Sequence, residues 1–280
     1  MAFQATRRSR FPAWALLLAW SARSFAQQTP PSRADPPPFL GETLRYAMTI
    51  LGVAGGELTL SAAPTELGGR PAWKFELSAV SNDFLSKFFL VRDYMVSWVD
   101  PKTFRSLRFE KHTVEGKRAR DELTEFDYEN GVAHYEGATI RLNDATLDTL
   151  SSVYYLRTLP LDGGKAPELA VFSGETHALR VEVQGRERIV TPAGSFSTIR
   201  VEPKSSGGSL IGKGKNLVLW LTDDERRIPV QIRSKLKVGT LIGRLKAIES
   251  RSPAPSVPPP PATSGAGSEA RNARAEGAVL

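Results

Sequence analysis

A two-residue hydrophobic period constrains this chain more than any other feature. In LRYAMTIL, Leu44, Tyr46, Met48 and Ile50 fall on one face of an extended segment. GVAGG then supplies turn residues and ELTLSA answers it, which is a hairpin signal. AWKFELSAV places Trp73, Phe75 and Leu77 on one face, with Val80 breaking the strict alternation. YMVSWV, SLRFEKHTV and DELTEFDYENGVAHYEG continue the pattern, with turns at DPKT, EGKR and ENG. LRVEVQGRERIVTPAGSFSTIRVEP is a long hairpin closed at TPAG, and NLVLWL, IPVQIRSKLKV and TLIGRLKAIE are the last strands. The chain of 280 residues is 41% hydrophobic, enough to bury a sizeable core.

Two segments break the period. NDFLSKFF reads as a short helix. DATLDTLSSVYYLRTL reads as a longer one, with a cap at Asn143 or Asp144 and Leu147, Leu150, Val153 and Tyr154 at helical spacing. Such a stripe means core packing before it means a ligand box. Many short strands with one or two short helices make the chain mainly β. The expected architecture is an antiparallel sheet, curled into a partial barrel or folded as a sandwich.

The two ends differ in composition from this middle. Arg7, Arg8 and Arg10 precede a short apolar run from residue 11 to 22, and SFA ends at Ala26. That is the layout of a secretory signal peptide over 1–26, cleaved between Ala26 and Gln27. A membrane span needs about 18 apolar residues, and Arg23 ends the run too soon. No transmembrane span is therefore expected after signal removal. The reading implies export to the periplasm or beyond, in a Gram-negative type of envelope. Residues 27–38 form a proline-rich linker, residues 39–250 a single β-rich domain, and residues 251–280 a Pro/Ala/Ser-rich tail too poor in large apolar residues to fold.

Export changes the meaning of the net charge of +7. The signal holds four arginines and no acids, which leaves +3 on the mature chain. The tail contributes three arginines and two glutamates, which leaves +2 on the body from 27 to 250. A nearly neutral body offers no broad footprint for nucleic acid. The chain has no cysteine, so disulfides, thiolate metal sites, thiol catalysis and a lipoprotein anchor are all excluded.

Each chemical motif has a plainer explanation. In WLTDDERRIPVQI, Asp223 and Asp224 could serve as an acid and a base, but adjacent acids in an exposed turn point to different sides. Their side chains suit a hairpin turn between two strands, with Arg226 and Arg227 as ion-pair partners and Pro229 at an edge or a strand's first position. GGSLIGKG, residues 207–214, approaches a phosphate-binding loop, yet Gly214 stands where Ser or Thr is needed and a strand follows in place of a helix. Ser234 and Lys237 have the spacing of a serine–lysine pair, but residues three apart on a strand face opposite sides. His112, His134 and His177 have neither a short metal-ligand spacing to another histidine nor a clear carboxylate partner, so each reads as a surface or satisfied histidine. No pattern asks for a cofactor, a metal or a set of catalytic residues.

Two surfaces remain as binding candidates, with no individual ligand-binding residue assigned. Gln231, Arg233, Lys235 and Lys237 share one strand face, opposite Val230, Ile232, Leu236 and Val238. Arg244 and Lys246 extend this basic stripe, which reads as a solvated sheet face before it reads as a site for anionic lipid or polysaccharide. Phe84, Leu85, Phe88, Phe89 and Leu90 exceed what one helical face needs, and would cap the sheet or line an apolar cavity.

Several stretches in fixed order, namely GETLRYAMTILGVAGGELTL, RDYMVSWVDPKTFRSLRFEKH, LSSVYYLRTLPL, VTPAGSFSTIRVEP and LWLTDDERRIPVQIRSK, resemble the exported bacterial family called domain of unknown function 3108. The resemblance runs from about residue 40 to 250. It implies an envelope location and a mostly β fold, and brings no reaction and no catalytic residues. Three functions follow as expectations: a non-enzymatic envelope protein that binds a lipid, another amphiphile or an envelope protein; a purely structural interaction module using its sheet edge or tail; and an envelope hydrolase with acids drawn from separate strands.

Overall fold

A computed structural model of the protein describes residues 36–143, 145–161, 168–205, 217–236 and 239–250. The segment 1–26 expected to be a signal peptide, with Ala26 and Gln27, the loop 207–214, Asp144, Lys237, Val238 and the tail lie outside these. In chain order the first half holds β1 (Glu42–Ile50), β2 (Val53–Leu67), β3 (Arg70–Ser81), α1 (Asp83–Ser86), β4 (Val91–Val99), β5 (Ser106–Glu115), β6 (Arg118–Asp127), β7 (Val132–Tyr135) and β8 (Ala138–Arg141). The second half holds β9 (Thr146–Asp148), α2 (Thr149–Leu156), β10 (Leu169–Phe172), β11 (Thr176–Thr191), β12 (Gly194–Ser205), β13 (Leu217–Thr222), β14 (Pro229–Leu236) and β15 (Gly239–Ser250).

All strands join one sheet in the order β8-β7-β6-β5-β4-β3-β2-β1-β15-β14-β13-β12-β11-β10-β9. Two meanders run outward from the central β1/β15 pair, where Glu42 lies opposite Ser250 and Ile50 opposite Leu241. Neighbours are antiparallel, with a parallel β9/β10 pair at one margin. Bulges at Arg45/Tyr46, Met48/Thr49 and Val183/Gly185 interrupt the ladders. Each adds local twist and bends its strand, which lets a sheet this wide curl. The sheet does not close through hydrogen bonds between β8 and β9. Side chains draw its margins together instead: Phe172 of β10 meets Phe126 and Tyr135 edge-on, at 5.6 and 5.9 Å between ring centroids. The Tyr128 hydroxyl donates to the Thr146 carbonyl at 2.8 Å.

The period-two pattern explains which face turns inward. Leu44, Tyr46, Leu58, Leu60, Phe75, Val99 and Phe109 are buried on the concave side, facing Ile199, Val201, Leu219 and Leu245 from the other half. α2 fills the hollow. Tyr154 stacks on Phe75 at 4.0 Å between centroids, and Phe39 and Phe104 close the cluster with edge-on contacts. Such aromatic pairs add to the area they bury, so the centre of the curl is packed solid.

Three expectations need correction. The longer helix begins at Thr149 and is capped by Asp148, whose side chain accepts from the amides of Leu150 and Ser151. Asn143 and Leu147 precede it, and Leu147 belongs to β9, because pairing with β10 holds Thr146–Asp148 extended. At GVAGG the turn is confined to Leu51 and Gly52, while Val53–Gly56 already pair with β1 around a bulge. Finally, Phe84, Phe88 and Phe89 line no cavity; they lie on and just after α1, a single turn at the end of the sheet, and all three rings stay exposed there. Among the described residues no helix is long and apolar enough to cross a membrane.

Candidate functional site

Asp223 and Asp224 occupy the turn between β13 and β14. Asp224 Oδ1 accepts from Thr222 Oγ1 at 2.6 Å and from the amides of Arg226 and Arg227, so the carboxylate folds back on its own loop. Asp223 pairs with Arg186 at 2.9 Å and with Arg227 at 3.3 Å. Both carboxylates are thus already paired, Asp224 within the turn and Asp223 with Arg227 of the turn and Arg186 of β11. Pro229 is the first residue of β14, beside a register shift, and its carbonyl accepts from the buried Tyr46 hydroxyl at 2.7 Å.

Beneath this turn lies an ion pair that sequence spacing did not reveal. Glu42, at the start of β1, meets Arg157, just past the end of α2, through two hydrogen bonds, and both side chains are buried. The Arg157 guanidinium also donates to the Arg226 carbonyl at 3.0 Å and sits 5.0 Å from the centre of the Phe39 ring. Nearly every polar edge of the pair is used, as burial of charge demands.

The other buried carboxylate caps α2. Asp148 accepts from Ser97 Oγ at 2.5 Å, from Ser106 Oγ at 2.6 Å and from two helix amides. Burial pushes its pKa up, against the opposing pull of those donors. Glu42 and Asp148 stand at opposite ends of α2, about 13 Å apart along the helix axis by the rise per residue. They are not a joined acid pair.

On the concave mouth, Glu122 gathers Lys111 at 3.0 Å, Tyr135 at 2.9 Å and Arg120 at 3.3 Å. Burial raises its pKa, but these partners outweigh burial and hold it below the usual glutamate value. Burial and the bond to Glu122 push Tyr135 up to about 12.

The convex face carries a shallow groove of about 250 Å³ over β3 to β6. Its walls are mainly apolar: Val80, Val114 and Ala119 beside the rings of Tyr94 and His112, which lie nearly parallel at 6.4 Å. His112 Nδ1 is 2.8 Å from Asp121 Oδ1, and Tyr94 donates to Glu76 at 2.6 Å. Burial and that hydrogen bond push the Tyr94 hydroxyl up to about 12, so it stays a neutral donor. The groove can hold an apolar group against two rings and offer polar contacts at its edge. This corrects the expectation that His112 has no clear carboxylate partner: the Gly116–Lys117 turn sets Glu115 opposite Arg118, and the same register puts His112 opposite Asp121.

The remaining candidates fall apart in space. His134 and His177 sit on β7 and β11, beside Thr139 at 3.4 Å and Glu175 at 3.6 Å. Ser234 is buried in β14. Much of the basic stripe is spent on neighbours. Arg233 and Arg200 flank the Trp220 ring at 5.3 and 5.6 Å, and Lys246 pairs with Glu57 at 2.7 Å.

No curated protein matches the chain. Among solved structures, the crystal structure of a beta-barrel-like protein of domain of unknown function DUF1849 from Brucella abortus is similar. It has 10% identity and a TM-score of 0.53, over 78% of this chain and 100% of that one. At that identity the likeness speaks for the curled sheet alone. Residues 45–246 match the family described as protein of unknown function DUF3108, and the chain belongs to that family.

Proposed function

We propose that this is an exported, non-enzymatic binding protein of the cell envelope, which engages an amphiphilic ligand or envelope partner through the outside of its curled sheet. One observation carries the reading. The hollow of the sheet is filled by α2 and its aromatic neighbours, while a mainly apolar groove stays open on the convex face. A packed interior directs binding outward. The commitment of Glu42 to Arg157, and of Asp148 to Ser97 and Ser106, supports a non-enzymatic role over the hydrolase alternative. The signal-like residues before Gln27 support export.

The test is native mass spectrometry of the mature protein, residues 27–280, purified gently from its own envelope. A bound mass that organic solvent releases, and that Tyr94→Ala abolishes, is the expected result. A bare mass in every preparation would turn the reading toward a module that binds only other proteins.

A further inference from the structure

We infer that the rim of the sheet around α1 docks onto an anionic lipid surface. The inference deepens the reading above and rests on its envelope location.

Successive turns along one end of the sheet bring five large apolar side chains to the surface. Leu51 is 72% exposed and Val53 53% at the β1–β2 turn; Phe84 is 59%, Phe88 75% and Phe89 48% exposed at and after α1. These turns form a connected ledge. Leu85 leans on Gly55, the Phe89 ring covers Gly116 of the β5–β6 turn, and Leu51 touches Gly239 at the start of β15. By strand spacing the ledge spans about 20 Å from the β5–β6 turn to the β1–β2 turn. Scattered single apolar residues need no explanation, but a contiguous ledge does.

Charge names the partner. Lys87, Arg92, Lys117 and Arg118 stand exposed among these side chains, against the acids Asp83 and Glu115. Aromatic side chains ringed by basic ones suit a surface that is apolar beneath and anionic above. The backbone is prepared for that environment. The amides of Phe88 and Phe89 both donate to the Leu85 carbonyl, and that of Ser86 to the Asn82 carbonyl. A turn whose amides are already bonded enters a poorly hydrated interface at lower cost.

Other occupants fit less well. A second copy would bring the same positive charge to the contact. The chain's own tail begins after Ser250, which pairs with Glu42 at the opposite end of the strands. That tail is itself net basic and, proline aside, offers only Val257, Val279 and Leu280 as apolar residues larger than alanine.

The decisive experiment is co-sedimentation of the mature protein with vesicles of phosphatidylcholine alone, or of phosphatidylcholine with about one-third phosphatidylglycerol. The expected result is binding to the anionic vesicles that added salt weakens, with little binding to the neutral ones. Phe84→Asp with Phe88→Asp should weaken it by roughly tenfold or more, and Lys87→Glu with Lys117→Glu comparably. Leu123→Asp, an exposed apolar residue elsewhere on the sheet, should leave it unchanged. All of these positions are exposed, so unaltered circular dichroism will confirm folding. Equal binding to both vesicles, sedimentation untouched by the Phe84/Phe88 changes, or a concentration-dependent dimer that those changes dissolve without any vesicle binding would each overturn the inference. A protein that carries a releasable mass yet ignores vesicles keeps the proposed function and loses the lipid rim. One that sediments but is always bare keeps the rim and loses the groove ligand.

Discussion

At the scale of single residues, the most consequential contact joins Glu42 to Arg157, side chains 115 positions apart that are both buried. Removing one member of such a pair leaves the other charge without compensation, whereas removing both leaves a polar gap of smaller cost. Arg157→Met should therefore destabilise the protein by about 3–5 kcal/mol, and adding Glu42→Gln should recover part of that loss. Urea unfolding of the two single variants and the double variant will show it. Strictly additive losses would mean that the two charges do not sense each other. Neither residue announced its role. Glu42 sits in an ordinary alternating stretch, and Arg157 follows a helix whose cap was expected several residues too early. By contrast, Asp224 as a turn-former was legible, because its partners are the amides of its own loop.

At the scale of elements, the hairpins were readable wherever a short turn sets the register. The turns at EGKR and TPAG stand where the sequence placed them, and around them His112 falls opposite Asp121 and Ile189 opposite Phe196. The β1–β2 hairpin shows why other details were not. Gly56 lies in β2 at φ +155°, beside a bulge, and a Cβ there would collide with the Val80 carbonyl of β3. GVAGG looks like a loop, but its last glycine, Gly56, serves a close approach between strands. Gly56→Ala should cost about 2 kcal/mol or more, whereas Gly68→Ala, at φ +58° with open space around it, should cost about 1. Comparing the denaturation midpoints of the two variants tests the difference; equal losses would assign the effect to backbone freedom alone. α2 teaches the converse lesson. Its apolar spacing was visible, but its start depended on β9 pairing with β10 and on Ser97 and Ser106 reaching Asp148 from strands far back in the chain.

At the scale of the molecule, one sheet carries everything, and its two margins differ from its centre. β1 pairs with β15 over its full length, whereas β8 is a four-residue strand, mostly exposed, with β7 as its ladder partner. Protection from amide exchange follows such differences in burial and pairing. Amides of β8 should exchange at least about a hundredfold faster than those of Tyr46 or Leu245 at the centre. Equal protection in a hydrogen-exchange experiment would show the margins bonded to each other and the barrel closed. The open seam also explains why sequence could name a partial barrel or a sandwich without choosing between them. The alternation states which side chains turn inward, and is silent on how far the sheet bends.

The sequence by itself determined the β character, the inward and outward faces, the local hairpins and the turn at Asp223 and Asp224, because these rest on interactions between near neighbours along the chain. Only the tertiary structure decided that the first and last strands meet at the centre and that α2 fills the hollow. It alone brought Glu42 to Arg157 and gathered the Leu51, Phe84, Phe88 and Phe89 turns into one exposed ledge. Those outcomes depend on loops closing over many tens of residues and on bulges that set the curl, and no local period carries that information.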